Sequence, residues 1–273
     1  MNDLFVNLSS RIKITQSQQQ AIHYISKKFY QDKNVLAFLI SGSIAHGFHT
    51  NYSDVDFNAV ITNECYKKRY AENQLCYYED GSQFYQGCYF DGIYISVEYL
   101  SLAIKQGNEP TRFALHDAVL MFDRTGIVAD YIVKIGEHCG GLENAIRFLA
   151  QFEVAKWLCG EGIAKESKYL IDVAVQKLIL FGGRLILNHN KVLYPHNKWF
   201  LKALESAKKK PEGLLSLIDT MLTCKTQENI LKFYEMIKNY HDWAEGRDVD
   251  WGSYNLKDVN YRWMHGDINI DLL

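Results

Sequence analysis

The period of the apolar residues changes once along this chain, near Arg124, and that change limits what it can fold into. Before it, short apolar runs alternate with turn chemistry; after it, apolar residues recur at helical spacing almost without interruption. From Ser17 to about Tyr30, Ala21, Ile22, Ile25 and Phe29 fall on one helical face, and Asn34 to Ile40 follows as a strand. Glu64 to Asn73 reads as a polar helix. Leu75 to Tyr78 and Phe84 to Phe90 read as strands of a hairpin about Glu79-Asp80-Gly81-Ser82, where Asp-Gly supplies the turn. Gly92 opens a further strand, with Ile93, Ile95, Val97 and Tyr99 on one face and Tyr94, Ser96 and Glu98 on the other. Val119 to Phe122 is one more short strand, closed by Asp123-Arg124-Thr125-Gly126.

Beyond Ile127 the expected helices run over 142–159, 167–187, 198–209, 213–224 and 227–243. Strands followed by helices predict the α+β class, with a mixed-sheet domain over 1–124 and a helical domain over 125–273. The chain of 273 residues is 48% hydrophobic, enough to pack both. Its final stretch carries Trp251, Tyr254, Tyr261 and Trp263 and is too apolar for a free linker, so it is expected to dock on the body.

Charge and leader chemistry narrow the function classes. A formal net charge of −2 argues against a broad footprint for long nucleic acid or anionic lipid, which needs clustered Lys and Arg. Met1-Asn2-Asp3-Leu4 begins a polar segment without a charged leader and apolar core, and no apolar run reaches membrane-spanning length, so a cytoplasmic protein is expected. The six cysteines (Cys65, Cys76, Cys88, Cys139, Cys159 and Cys224) have no zinc-ligand spacing and read as reduced thiols.

Chemistry concentrates between the first two strands. Leu39-Ile40 runs into Ser41-Gly42-Ser43, and after residues 44–53 comes Asp54-Val55-Asp56-Phe57. A Gly-Ser turn offers backbone N–H groups and a hydroxyl to an anion, with the close approach a phosphate needs. Asp54 and Asp56, two apart in an apolar run, point the same way while Val55 and Phe57 point into the core. Paired carboxylates repel unless a cation lies between them, and hard oxygen ligands with substrate phosphates suit Mg²⁺. If Glu98 converges on them from its strand, the three acids cradle one or two metal ions, as nucleotidyl transfer requires. Asp91 is the competing third acid; beside Gly92 it reads first as a turn residue. His46 and His49, in the intervening loop, read as solvated.

The segment Ser41-Gly42-Ser43-Ile44-Ala45-His46-Gly47 through Ser53-Asp54-Val55-Asp56-Phe57, with a later apolar-flanked acid, resembles the DNA polymerase beta-like nucleotidyltransferase superfamily, particularly small bacterial members related to aminoglycoside and lincosamide nucleotidyltransferases. The resemblance implies a mixed-sheet domain followed by a helical, acceptor-binding one. It implies transfer of a nucleoside monophosphate, AMP first among them, from an NTP such as ATP to a hydroxyl, with release of pyrophosphate. Gly42, Ser43 and Ser53 would serve the nucleotide, Ser43 at the β and γ phosphates; Asp54 and Asp56 would hold both metals, and Glu98 the catalytic one. The family more often has Asp in that third place.

In the helical half, Asn188 and Leu193-Tyr194-Pro195-His196-Asn197-Lys198-Trp199 resemble a recurring segment of such relatives, and Tyr194-Pro195 with Asn197 also reads as a helix stop and cap. Glu153, Glu161, Glu166 and Asp172 are candidates for the base that deprotonates an acceptor hydroxyl, Glu153 for its apolar surroundings. Lys177, in the apolar stretch from Val173 to Leu180, is a candidate triphosphate ligand, with snorkelling to solvent as the ordinary alternative. The expected acceptor is a small hydroxylated molecule such as an aminoglycoside-like antibiotic. Nucleotidylation of protein or tRNA, as in toxin-antitoxin systems, and nucleotide binding without transfer are the other readings.

Overall fold

The computed structural model describes residues 12–137 and 140–265, apart from the side chains of Trp263 and His265. The leader expectation at Met1 to Leu4, Cys139 and the tail past residue 265 lie outside the described residues. The protein divides into two compact units, Met1–Glu137 and His138–Leu273.

The first unit is built as α1 (Gln16–Gln31), β1 (Val35–Ile40), α2 (Gly42–Ala45), β2 (Val55–Ile61), α3 (Asn63–Ala71), β3 (Cys76–Asp80), β4 (Tyr89–Ser96), α4 (Val97–Gln106), α5 (Glu109–His116), β5 (Val119–Asp123) and α6 (Val128–Gly136). The strands form one mixed sheet in the order β3-β4-β2-β1-β5. β2 and β4 are parallel, and the other neighbours are antiparallel. Alternation sorts the side chains onto two faces. Phe38, Ile40, Val55, Phe57, Phe90 and Tyr94 pack with Ala21, Ile22, Ile25 and Phe29 of α1. On the opposite face Ala37, Leu39, Val60 and Ile95 are covered by Leu100, Leu115, Val128, Ile132 and Ile135 of α4 to α6. Because α6 belongs to this second cluster, the division falls after Glu137, later than the change of sequence period at Arg124.

β4 departs from its expected form. Tyr89 to Ser96 is a single strand that runs straight through Asp91-Gly92, where the sequence read a turn and a fresh start. Gly92 is required there by packing, since a Cβ would lie 2.2 Å from Cζ of Phe57. The strand also ends earlier than expected. Ser96 caps the next helix, its side chain accepting from the Tyr99 N–H, so Val97, Glu98 and Tyr99 belong to α4.

The connection from β5 to α6 is held by one carboxylate. Asp123 accepts from the Thr125 N–H at 2.8 Å, the Thr125 hydroxyl at 2.7 Å and the Val128 N–H at 2.9 Å. Its partial burial works to raise its pKa, but these hydrogen bonds outweigh it and hold the carboxyl below its ordinary range. The stabilisation is thus full above the unfolded-state value of about 3.9 and is lost as pH falls through the folded-state value. Asp123→Asn is expected to cost about 1–2 kcal/mol at pH 7, measured as a shifted urea midpoint, with the gap from wild type narrowing as the pH is taken below about 4. A gap that stays constant into acid counts against this role.

The second unit is helical throughout its described residues. α7 (Leu142–Ala164) and α8 (Lys168–His189) pack as a hairpin, followed by a 3₁₀ turn (Asn197–Trp199), α9 (Phe200–Ser206), α10 (Leu214–Thr223), α11 (Gln227–Lys238) and α12 (Trp251–Asn255). Phe152, Leu178, Ile186, Leu204, Met221 and Phe233 form its core. In the described part of the tail α12 lies against α7, with Gln151 bonded to Asn255 and Arg147 paired with Asp258 at 2.8 Å. Among the described residues no helix is long and apolar enough to cross a membrane. Cys65, Cys76, Cys88, Cys159 and Cys224 are free thiols.

Candidate active site

Asp56 and Asp91 lie on the sheet face that carries Val60 and Ile95, at the opposite end of β2 and β4 from those two residues. β1 ends in Ser41, whose N–H bonds the Asp56 carbonyl at 2.9 Å, tying the Gly-Ser turn to the start of β2. Gly42 has φ +62, and a Cβ there would lie 1.8 Å from Oδ2 of Asp56. The backbone of the turn therefore rests directly against the Asp56 carboxylate, an approach only glycine permits. The next residue, Ser43, is buried, and its hydroxyl has no hydrogen-bond partner among the described residues. A buried hydroxyl without a partner is costly in a finished core. It suits a position awaiting an oxygen-rich ligand.

The parallel register of β2 and β4 sets Asp56 opposite Asp91. The antiparallel register of β3 and β4 sets Tyr78 opposite Asp91 in turn. Asp91 is exposed, and Tyr78 is 71% exposed with its ring 5.7 Å from that of Tyr89. The Tyr89 hydroxyl donates to the Asp54 carboxylate. That bond, the Asp54 charge, partial burial and then the charges of Asp56 and Asp91 push its pKa up to about 12. One phenol thus experiences all three carboxylates. Among the described residues no Lys, Arg or His forms an ion pair with Asp54 or Asp91. A concentration of negative charge of this kind is the environment in which a divalent cation is held by oxygen ligands.

Glu98 is not brought to this place. Asp91 to Ser96 spans roughly 17 Å of strand, and Glu98 lies past its far end, exposed in the first turn of α4, where its charge bears on Tyr66 of α3. The strand alternation assigned to it stops at Ser96. Asp91 is the acid the sequence reading ranked lower, because Asp-Gly carries turn chemistry; the continuous period of two through Tyr89, Asp91 and Ile93 was the signal in its favour.

Ser53 serves the loop. Its hydroxyl accepts from the Thr50 N–H at 2.9 Å and its carbonyl accepts from the Tyr85 hydroxyl at 2.8 Å, which fixes the residue just ahead of Asp54. His46 is not solvated as expected; its side chain is 3% exposed and bonded to Asp117. His49 bonds the Lys13 carbonyl at 2.9 Å.

In the helical unit Lys177 is exposed on α8. Three of the four base candidates are paired. Glu153 is bonded by Lys238 and the Tyr234 hydroxyl, Glu161 by Lys165 at 2.7 Å and Asp172 by Lys225 at 3.3 Å. Glu166 is exposed at φ +50 just before Ser167, which caps α8. A carboxylate whose oxygens are already engaged by an ammonium is not free to reach an acceptor hydroxyl. Asn188 bonds both the N–H and the carbonyl of Gly141 at 3.1 Å, ahead of α7, and the Tyr194 hydroxyl donates to Asn197 at 2.5 Å. Lys198 lies over the Trp199 ring at 5.3 Å, and Trp199 is half-buried.

No protein-family model matches the chain, and no curated protein is similar to it in sequence. A solved structure of a nucleotidyltransferase-like protein from Exiguobacterium sibiricum 255-15 is similar to it at 11% identity and a TM-score of 0.45, over 90% of this chain and 80% of that one. At that degree of likeness the function is read from the residues themselves.

Proposed function

We propose that the sheet unit is a divalent-metal-dependent nucleotidyltransferase site that moves a nucleoside monophosphate from an NTP, ATP being the first donor to test, to a hydroxyl of a small acceptor. The observation that carries this reading is the pairing of Asp56 with Asp91 across β2 and β4, with the Gly42 backbone against the Asp56 carboxylate and the Ser43 hydroxyl buried without a partner alongside. Asp54, Asp56 and Asp91 would hold Mg²⁺, whose hard-oxygen preference the donor set fits. Bound there with the nucleotide, the metal would offset the triphosphate charge and lower the pKa of the acceptor hydroxyl.

The chain's own contributions follow from positions. Ser43 donates its hydroxyl to the phosphates and so gains the partner it lacks. Gly42 lets them approach the main chain. Tyr89 fixes the orientation of Asp54. Tyr78 and Tyr89 offer a flat apolar surface beside the acids, suited to a base or a ring-bearing acceptor. Nucleotide binding without transfer is the other reading, kept open by Glu98 standing where the family more often has Asp; an Asp91 in register with Asp56 supports transfer over it.

The test is pyrophosphate release from ATP, GTP, CTP and UTP with Mg²⁺ and a panel of aminoglycosides and other small polyols. Wild type is expected to release pyrophosphate with at least one pair, and Asp56→Asn, with unchanged circular dichroism, to lose that activity. Activity retained in Asp56→Asn would sink the assigned site. Label transferred to a co-purified protein would instead favour protein nucleotidylation.

A further inference from the structure

A second donor cluster lies in the same unit, outside the carboxylate site. His46 caps the C-terminal end of α2, three residues past Ser43; His116 ends α5; Asp117 follows it and leads into β5. Nδ1 of His46 lies 2.9 Å from Oδ2 of Asp117, and Nδ1 of His116 lies 3.0 Å from Oδ1 of the same carboxylate. Two imidazoles thus converge on the two oxygens of one carboxylate, and one donor atom from each of the three residues falls within 4.8 Å of the others. The His46 ring packs against that of Phe113, with centroids 4.3 Å apart and the planes tilted by 32°. Asp117 is 46% exposed, and among the described residues its ion-pair partners are these two histidines alone. Together with Ala45, Ala118 and Val119 it borders an open cleft.

We propose that His46, His116 and Asp117 form a binding site for a borderline divalent cation, Zn²⁺ foremost, that braces the Gly42-Ser43 turn against the junction of α5 and β5. Two imidazole nitrogens and a carboxylate are the donors Zn²⁺ takes, and three protein ligands leave a coordination position for water or a ligand from the cleft. Mg²⁺ by contrast prefers the all-oxygen set of Asp54, Asp56 and Asp91. The unit would therefore carry two cation sites of different hardness. Tetrahedral bonds of about 2.0–2.1 Å place donor atoms roughly 3.3 Å apart, so on binding the nitrogen–oxygen separations of 2.9 and 3.0 Å open slightly, while donors now up to 4.8 Å apart draw together. The partly exposed side chains of His116 and Asp117 can supply that movement. The ordinary alternative is a carboxylate hydrogen-bonded by two neutral histidines, which binds no metal.

The experiment separates the two, and keeps this proposal separate from nucleotidyl transfer. The full chain, stripped with chelator, is titrated with Zn²⁺ by calorimetry and with Co²⁺ by visible absorption. Wild type is expected to take one equivalent of Zn²⁺ at micromolar or tighter affinity and to show the intense visible bands of low-symmetry Co²⁺. Asp56→Asn should bind Zn²⁺ as wild type does. His116→Ala, at a partly exposed position where folding should survive, should weaken binding at least ~30-fold, with circular dichroism checking the fold. The conservative Asp117→Asn should weaken it similarly. Absence of Zn²⁺ binding by wild type, or binding that survives His116→Ala and is lost in Asp56→Asn, overturns the proposal.

Discussion

Asp91→Asn is expected to lower nucleotidyl transfer by ~10²–10³-fold, while Glu98→Gln leaves it within about twofold. The two acids are seven positions apart in sequence but stand in different structural settings. Asp91 faces Asp56 in a parallel ladder, on the face where Tyr89 and Asp54 also lie, whereas Glu98 is exposed on the first turn of α4 beside Tyr66. Replacing one carboxylate of a metal cradle by a neutral amide removes a charge and a ligand together. Binding of Mg²⁺ with nucleotide should weaken as well, and isothermal titration with a non-hydrolysable NTP analogue would read that loss without depending on the acceptor. Glu98→Gln removes a solvated charge and should change neither quantity. A Glu98→Gln variant as inactive as Asp56→Asn, with Asp91→Asn active, would reverse the assignment and restore the third acid the sequence first suggested.

The difference between these acids also marks where the sequence was legible. The succession of strand and helix signals came through because it rests on periodicity over many residues: α1, β1, β5, α7, α8 and α10 lie close to their expected spans. Gly42-Ser43 and Asp54-Val55-Asp56 were legible as a unit because their chemistry is local, a tight turn followed by alternating acids. The third carboxylate was not local. Its choice depends on which residue of a distant strand pairs with Asp56, and a shift of register carries a side chain to another place on the sheet. The Asp91-Gly92 pair obscured that register by imitating a turn, although Gly92 is small because the Phe57 ring lies against it. The helical half was harder for the same reason. A Glu among apolar residues looks like a tuned base in one dimension, and only the fold shows Lys238 and Tyr234 already bonded to Glu153. His46 read as a loop residue because its partners, His116 and Asp117, are some seventy positions away in sequence.

Gly42→Ala should separate stability from function more sharply than a change of ligand. At φ +62 an alanine costs roughly 1–2 kcal/mol relative to glycine, and the contact of its Cβ with Cγ and Cβ of Asp56 adds to this, so a fall in melting temperature of several degrees is expected. The function should suffer far more. The new Cβ would lie 1.8 Å from Oδ2 of Asp56 and 2.5 Å from its Cβ, so the carboxylate must turn and the Gly-Ser turn must also shift off the start of β2. Relief of the clash therefore turns Asp56 away from Asp91 and closes the approach to the Ser43 hydroxyl. Loss of transfer by at least ~10²-fold follows, comparable with removing an electrostatic ligand, and binding of Mg²⁺ with nucleotide should fall with it. The contrast with Gly47 isolates the cause. Gly47 also has a positive φ, +69, but a Cβ there meets nothing within 4 Å. Gly47→Ala thus imposes a similar backbone cost without touching a carboxylate, and it should lose stability while keeping most of its activity. If the two variants lose activity equally, the close approach of the turn to Asp56 is not what the site depends on, and the effect of Gly42→Ala is one of folding alone.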